Sequence, residues 1–226
     1  MAPSIANISF LQRAILTVGS AAVAAANPKR AGELTGERAV QAMYRRMLVS
    51  TEGRRILRER PALTSQSMNL PQLRTLPAGT FGREYVRFMD THGFTPESRL
   101  PVRYIADPDL AYVLQRYRET HDFIHVLTGL PTVSVAAETA VKWFEWMQTG
   151  LPMTLASSLV GPMISEPAER GRLTGELIPW AIQSGSRAKL YLNVMYEEQW
   201  ETALVDLQRE LNIIPAPTPL VSDDKV

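Results

Sequence analysis

YRETHDFIHVLTG, residues 117–129, carries two of the chain's three histidines at a spacing of four. Four residues is one turn of an α-helix, so His121 and His125 point the same way. Asp122 lies at the edge of that face, three residues before His125. Two imidazoles and a carboxylate on one side of a helix suit a borderline divalent metal such as zinc. The pattern breaks at Gly129-Leu130-Pro131, and a second helical pattern follows in TVSVAAETAVKWFEWMQTG. Glu138 stands there among small and apolar residues, where an unpaired carboxylate is costly. A metal shared with the preceding helix accounts for it. So does the competing reading, a hydrogen-bonded core cluster satisfied by Arg116 or Arg118.

Working outward, the helical period continues in both directions. It predicts helices over 7–27, 37–49, 51–59, 80–92, 108–128, 133–148, 151–160, 168–182 and 187–211, the last with a break. Pro108 suits a first helical turn. Pro179 predicts a kink. Strand-like alternation is almost absent, and there is no internal repeat. The expected architecture is a single-domain all-α bundle over 1–213, with a metal site between two consecutive helices. Residues 214–226, rich in Pro, Ser and Asp, read as a disordered tail.

Composition narrows the function. The chain has 226 residues, 45% of them hydrophobic, enough for a sizeable core. A net charge of +1 and the absence of any finger, P-loop or dinucleotide fingerprint give no case for nucleic acid. With no cysteine, a metal must be held by His and carboxylate. No run of apolar residues is long enough to span a bilayer. Residues 1–60 carry ten Lys/Arg against four Asp/Glu. Arg45, Arg46, Arg54, Arg55, Arg58 and Arg60, interleaved with apolar residues, read either as a surface for anionic lipid or as an ordinary solvated face. Phe123, Met147, Leu151, Met153 and Leu155 suit an apolar groove or a helical core. Arg116 and Lys142 suit an ion pair or a substrate carboxylate.

His121-Asp122-x-x-His125, then Glu138 and VKWFEWMQTGLPM (141–153), resemble the Coq4 family of ubiquinone biosynthesis. LQRAILTVGSAA (11–22), residues 60–88, LAYVLQRYRETHD (110–122), GELIPWAIQSG (175–185) and residues 196–213 resemble family segments in the same order. Two departures stand out. Glu138 falls thirteen residues after His125, where the family motif has about a dozen, and Pro28–Gly36 looks like a shortened loop. An extra residue in the turn leaves the carboxylate in place, while one inside the helix rotates it by about 100°.

The resemblance implies removal of the C1 carboxylate from 4-hydroxy-3-methoxy-5-polyprenylbenzoate, alone or coupled to hydroxylation at that carbon. It implies Zn²⁺, or another divalent metal, held by His121, Asp122, His125 and Glu138, which would also be the catalytic groups. Arg116 or Lys142 would meet the ring carboxylate. An apolar channel walled by Phe123, Met147, Leu151, Met153 and Leu155 would take the polyprenyl tail. The alternative role is a non-catalytic organiser that holds prenylated intermediates beside other ubiquinone biosynthesis enzymes. A histidine–aspartate phosphohydrolase is disfavoured, because only His92 remains as a further histidine. The expected location is the matrix face of the inner mitochondrial membrane, or the cytoplasmic membrane face in a bacterium, as a peripheral protein. An anionic membrane surface and a second copy of the chain are the further expected partners.

Overall fold

The computed structural model describes residues 28–99, 101–130 and 134–217. The helix expected over 7–27 lies outside these residues, as do 218–226. Every regular element of the described chain is helical, and its β pairing is limited to one antiparallel bridge, Thr80 with Ala203.

α1 spans Pro28–Val49. The segment read as a shortened loop is therefore helix, opening on a proline, which is tolerated where an N–H has no partner anyway. α2 (Thr51–Glu59) begins at Ser50, whose hydroxyl accepts the Gly53 N–H at 3.2 Å. Two short turns, α3 (Ser65–Met68) and α4 (Leu70–Leu73), lead to α5 (Phe81–His92). α6 (Pro108–Thr128) starts at Asp107, whose carboxylate accepts the Asp109 and Leu110 N–H groups at 2.8 and 3.2 Å. α7 (Val135–Thr149) is capped by Ser134, and α8 runs from Pro152 to Ile164. α9 (Pro167–Arg172) passes through a π-helical stretch, Leu173–Leu177, into α10 (Ile178–Arg187). That widened turn directly precedes Pro179 and takes up the kink its missing N–H and ring demand.

The helix expected over 187–211 does not form. Only α11 (Leu204–Glu210) is α-helical there, after 3-10 turns at Tyr191–Asn193 and Tyr196–Glu198. Leu190, Tyr191, Leu192, Val194, Met195 and Tyr196 are all buried. The segment crosses the core in irregular form, joined by 3-10 turns. Side chains hold the carbonyls it frees: Arg116 donates to Val194 O at 2.6 Å, and Gln148 to Ala188 O at 3.1 Å. The expected tail is also shorter. Ala216 N donates to Thr128 O at 2.9 Å, Trp180 to Ile214 O at 2.9 Å, and Arg172 to Pro217 O at 2.7 Å.

The core gathers around α6. Phe123 is fully buried, with ring centroids 5.2 Å from Phe81 and 4.7 Å from both Tyr85 and Tyr196, and Phe81 stacks on Trp200 at 5.6 Å. On the other side α7 lies between α8 and α10 at very short range. A Cβ on Gly161 would stand 2.0 Å from the Thr139 hydroxyl oxygen and 2.4 Å from its methyl. Thr139 cannot swing away, because it is β-branched and bonded to Val135 O at 2.6 Å. Gly161→Ala should therefore force α7 and α8 apart, at a cost of about 1–3 kcal/mol. Part of this, about 1 kcal/mol, is returned by helix propensity. Urea denaturation should show a net loss in G161A, recovered when Thr139→Ala is added. An equal loss in the double variant would mean the contact is not the cause.

Candidate metal centre

His125 lies one turn before the end of α6. Gly129 ends that helix with φ +69, a left-handed conformation that suits glycine. The turn sends Leu130 N–H back to His125 O at 3.1 Å and brings Leu130 C=O against the His125 ring. His125 Nδ1 donates to that carbonyl at 3.0 Å. His121 Nδ1 is likewise 2.7 Å from Glu145 Oε1 on α7, and donates to it. With both Nδ1 positions so used, each ring turns an Nε2 toward the other, 3.4 Å apart. Glu138, in the first turn of α7, closes the triangle. Its carboxylate oxygens lie 3.1 Å from His125 Nε2 and 3.6 Å from His121 Nε2.

The three residues can each offer one donor atom such that all lie within 4.8 Å of one another. Two Nε2 lone pairs facing each other at this range repel unless a cation, proton or metal, lies between them. Ligands about 2.0–2.1 Å from a tetrahedral ion stand about 3.3 Å from each other. The two Nε2 atoms stand 3.4 Å apart, and Glu138 meets them with different oxygens, Oε2 at 3.1 Å from His125 and Oε1 at 3.6 Å from His121, all close to that value. The donor set therefore fits a divalent ion, and a three-residue set leaves a further coordination position for a small ligand.

A buried charge network supports the triangle. Glu145 is fully buried, and Tyr117 donates to its Oε2 at 3.0 Å and Lys142 at 2.8 Å. Lys142 also reaches Glu138 Oε1 at 3.3 Å. Burial alone would push the Glu145 carboxyl up, but Lys142 and His121 outweigh it and hold it down to about 2. Glu138 is likewise pushed up by burial, and the His125 hydrogen bond with the Lys142 and His121 charges brings it below the usual carboxylate range. Burial works against the Lys142 ammonium, yet Glu145, Tyr117 and Glu138 raise it above its ordinary value. For His121, burial and Lys142 disfavour the charged ring, and Glu145 with Glu138 win, raising it. Phe88 of α5 stacks on the His125 ring, 5.6 Å between centroids.

Of the four ligands implied by the family resemblance, His121, His125 and Glu138 come together. Asp122 does not join them, because its carboxylate is held by Arg99, which also donates to the Tyr85 hydroxyl at 3.4 Å. The thirteen-residue spacing leaves Glu138 facing both histidines, so the longer connection has not rotated it away. Lys142 lies at the cluster. Arg116 instead pairs with Glu197 at 3.0 Å and with Val194 O, and its role is to fasten the 190–197 segment. His92, at the end of α5, bonds Phe88 O at 2.8 Å and stays outside the cluster.

The five residues expected to wall a channel lie in different surroundings. Phe123 is in the aromatic core on the opposite side of α6 from His121. Leu151 is fully buried, and a Cβ on Gly36 of α1 would lie 3.3 Å from it. Met147 lies against Gly185 of α10, Leu155 is half-buried, and Met153 is exposed. A cavity of about 670 Å³ opens among residues including Ser50, Arg55, Lys189, Asn193 and Glu198, and no residue of the cluster lines it. Glu145 and Tyr117 were missed as site residues. Their signal was available: Glu138, Lys142 and Glu145 follow at i, i+4 and i+7 on one helix face.

An all-α chain with a His-His-Glu cluster between consecutive helices defines a class of candidate metalloprotein. A family model described as coenzyme Q (ubiquinone) biosynthesis protein Coq4 matches residues 3–217, and the chain belongs to that family. It is 44% identical over 215 residues to the mitochondrial ubiquinone biosynthesis protein COQ4 homolog of Homo sapiens, covering 92% of this chain and 81% of that protein. It is 50% identical over 187 residues to the corresponding protein of Nematostella vectensis, covering 82% and 90%. The crystal structure of a putative ubiquinone biosynthesis protein from Nostoc punctiforme superposes with a TM-score of 0.65 over 88% of this chain and 96% of that one. At 21% identity that likeness speaks for the fold.

Proposed function

We propose that this chain is a metal-dependent decarboxylase of ubiquinone biosynthesis, acting on ring C1 of 4-hydroxy-3-methoxy-5-polyprenylbenzoate, alone or with hydroxylation at that carbon. The observation that carries this reading is the convergence of His121 Nε2, His125 Nε2 and a Glu138 oxygen, with both Nδ1 atoms engaged elsewhere. A bound Zn²⁺ or similar ion supplies Lewis acidity toward the substrate's carboxylate or neighbouring oxygens. His121, His125 and Glu138 would hold it. Lys142 places a positive charge beside Glu138, where an anionic ring substituent would be received. Glu145 and Tyr117 keep His121 and Lys142 in position. Asp122 acts indirectly, by fixing Arg99.

A second reading is an organiser that holds prenylated lipid beside the other ubiquinone biosynthesis enzymes. The names of the relatives place them in mitochondria, which suits a peripheral position on the matrix face of the inner membrane. Turnover of the prenylated 4-hydroxy-3-methoxybenzoate, with metal-loaded and chelated protein side by side, separates the two. Loss of the C1 carboxylate that needs both metal and His125 supports the decarboxylase. Binding without turnover in the metal-loaded protein supports the organiser and ends the enzymatic reading.

A further inference from the structure

We infer that α8 is the helix by which this protein lies on an anionic lipid surface, with its apolar outer face among the acyl chains. The inference stands on α8 alone and does not depend on the reading of the metal cluster.

Its polarity is the reverse of a soluble surface helix. The buried positions are Thr154, Ser158 and Gly161, followed by Ser165 just past the end. Their hydroxyls are spent on nearby carbonyls, at 2.7 Å for Thr154 and Ser158 and 2.8 Å for Ser165. Small residues inward let α8 approach α7 closely, as the Gly161 contact with Thr139 requires. The large residues therefore point outward. Met153, Leu159, Val160, Met163 and Ile164 are exposed, from 37% at Met153 to 76% at Met163. No ionisable residue occurs between Glu145 and Glu166. A contiguous apolar face of this kind marks an interaction surface.

The helix is too short to cross a bilayer. Thirteen residues extend about 20 Å, against a hydrocarbon core of about 30 Å. No helix among the described residues is long and apolar enough to cross a membrane. An in-plane position remains, with the apolar face at the acyl boundary.

The charges at its two ends choose lipid over a second copy. Arg46 of α1 donates to Gln148 O just before α8, and Arg170 of α9 donates to Met163 O at 3.4 Å and Ser165 O at 3.2 Å just after it. Both arginines are exposed. They flank an uncharged apolar strip, the arrangement that meets headgroup phosphates while the strip sinks below them. Two copies joined through α8 would bring like charges together, Arg46 against Arg170 in the antiparallel case and each against itself in the parallel one. Glu166 borders the same face and lowers the charge there; Glu169 bonds Ser134 at 2.6 Å. The rest of the basic excess in residues 1–60 is a weaker anchor, since Arg55 pairs with Glu59 and Glu198, Arg58 with Glu59 and Arg60 with Asp109.

The chain has no cysteine, so single probes are straightforward. Leu159→Cys and Met163→Cys, each carrying an environment-sensitive fluorophore on the full chain, should brighten and shift to the blue on phosphatidylcholine vesicles with about one-third phosphatidylserine. A probe at Val205→Cys, exposed on α11, should not respond. L159E/M163E should lower vesicle binding by flotation about tenfold or more, with helicity kept. R170Q should weaken binding to the anionic vesicles and not to phosphatidylcholine alone. Probes at 159 and 163 that stay unchanged on vesicles overturn the inference. So do probes already shielded before vesicles are added, whether covered by residues 1–27 at all concentrations or by a second copy in a concentration-dependent way.

Discussion

His125→Ala should leave the protein unable to retain a stoichiometric divalent ion through dialysis, with an affinity for zinc lowered by more than about 100-fold. The estimate exceeds the 10–100-fold seen when only an outer partner of a ligand is lost. His125 supplies one of three side-chain donors, and its ring is held by the Leu130 carbonyl at 3.0 Å, so no neighbour can take its place. Asp122→Asn is the informative companion. Because Asp122 is engaged by Arg99, D122N should keep its metal, with at most a modest loss of stability from the half-broken ion pair. Chelator competition on wild type, H125A and D122N decides the matter. If D122N loses metal as completely as H125A, Asp122 is a fourth ligand and the three-residue centre is wrong.

Glu145→Ala should injure both stability and metal binding, through separable causes. Its carboxylate is fully buried and is the shared acceptor of His121, Tyr117 and Lys142. Removing it strands the largely buried Lys142 ammonium, and breaking a buried pair from one side costs about 3–5 kcal/mol. It also releases the His121 ring, which should cost 10–100-fold in metal affinity, as is typical of such supporting partners. Adding Lys142→Met removes the stranded charge. The double variant should then regain most of its stability in urea while its metal affinity stays low, since His121 still lacks its acceptor. Recovery of both together would show that Glu145 only neutralises Lys142 and does not position the ring.

Much of this site was legible in the sequence because it is local. Helical spacing puts His121 and His125 on one face, Pro108 and Gly129 mark the ends of α6, and Glu138 is the first acid that the next helix offers. What escaped was the part set by partners distant in sequence. Asp122 is adjacent to a ligand, yet its own partner, Arg99, comes from the irregular segment before α6. Arg116 suited a substrate carboxylate until Glu197, from a stretch that periodicity reads as helix, took it. The 187–211 pattern misled because its composition suits a helix, while the bonds that fix its backbone come from Arg116 and Gln148, distant in sequence. The basic third of the chain was real as a count, and much of it is cancelled by Glu59, Asp109 and Glu198.

The three candidate ligands are all drawn from residues 121–138, two on one helix and the third in the first turn of the next. An ion gripping them closes a loop of only thirteen residues, from His125 to Glu138. Closing so short a loop costs little chain entropy, and contacts of low sequence separation form early. With an ion bound there, the α6–α7 hairpin would close before the distant 190–197 segment docks. Insertions and deletions elsewhere along the chain would leave that order of assembly intact. An extra or missing residue inside α7 ahead of Glu138 would not.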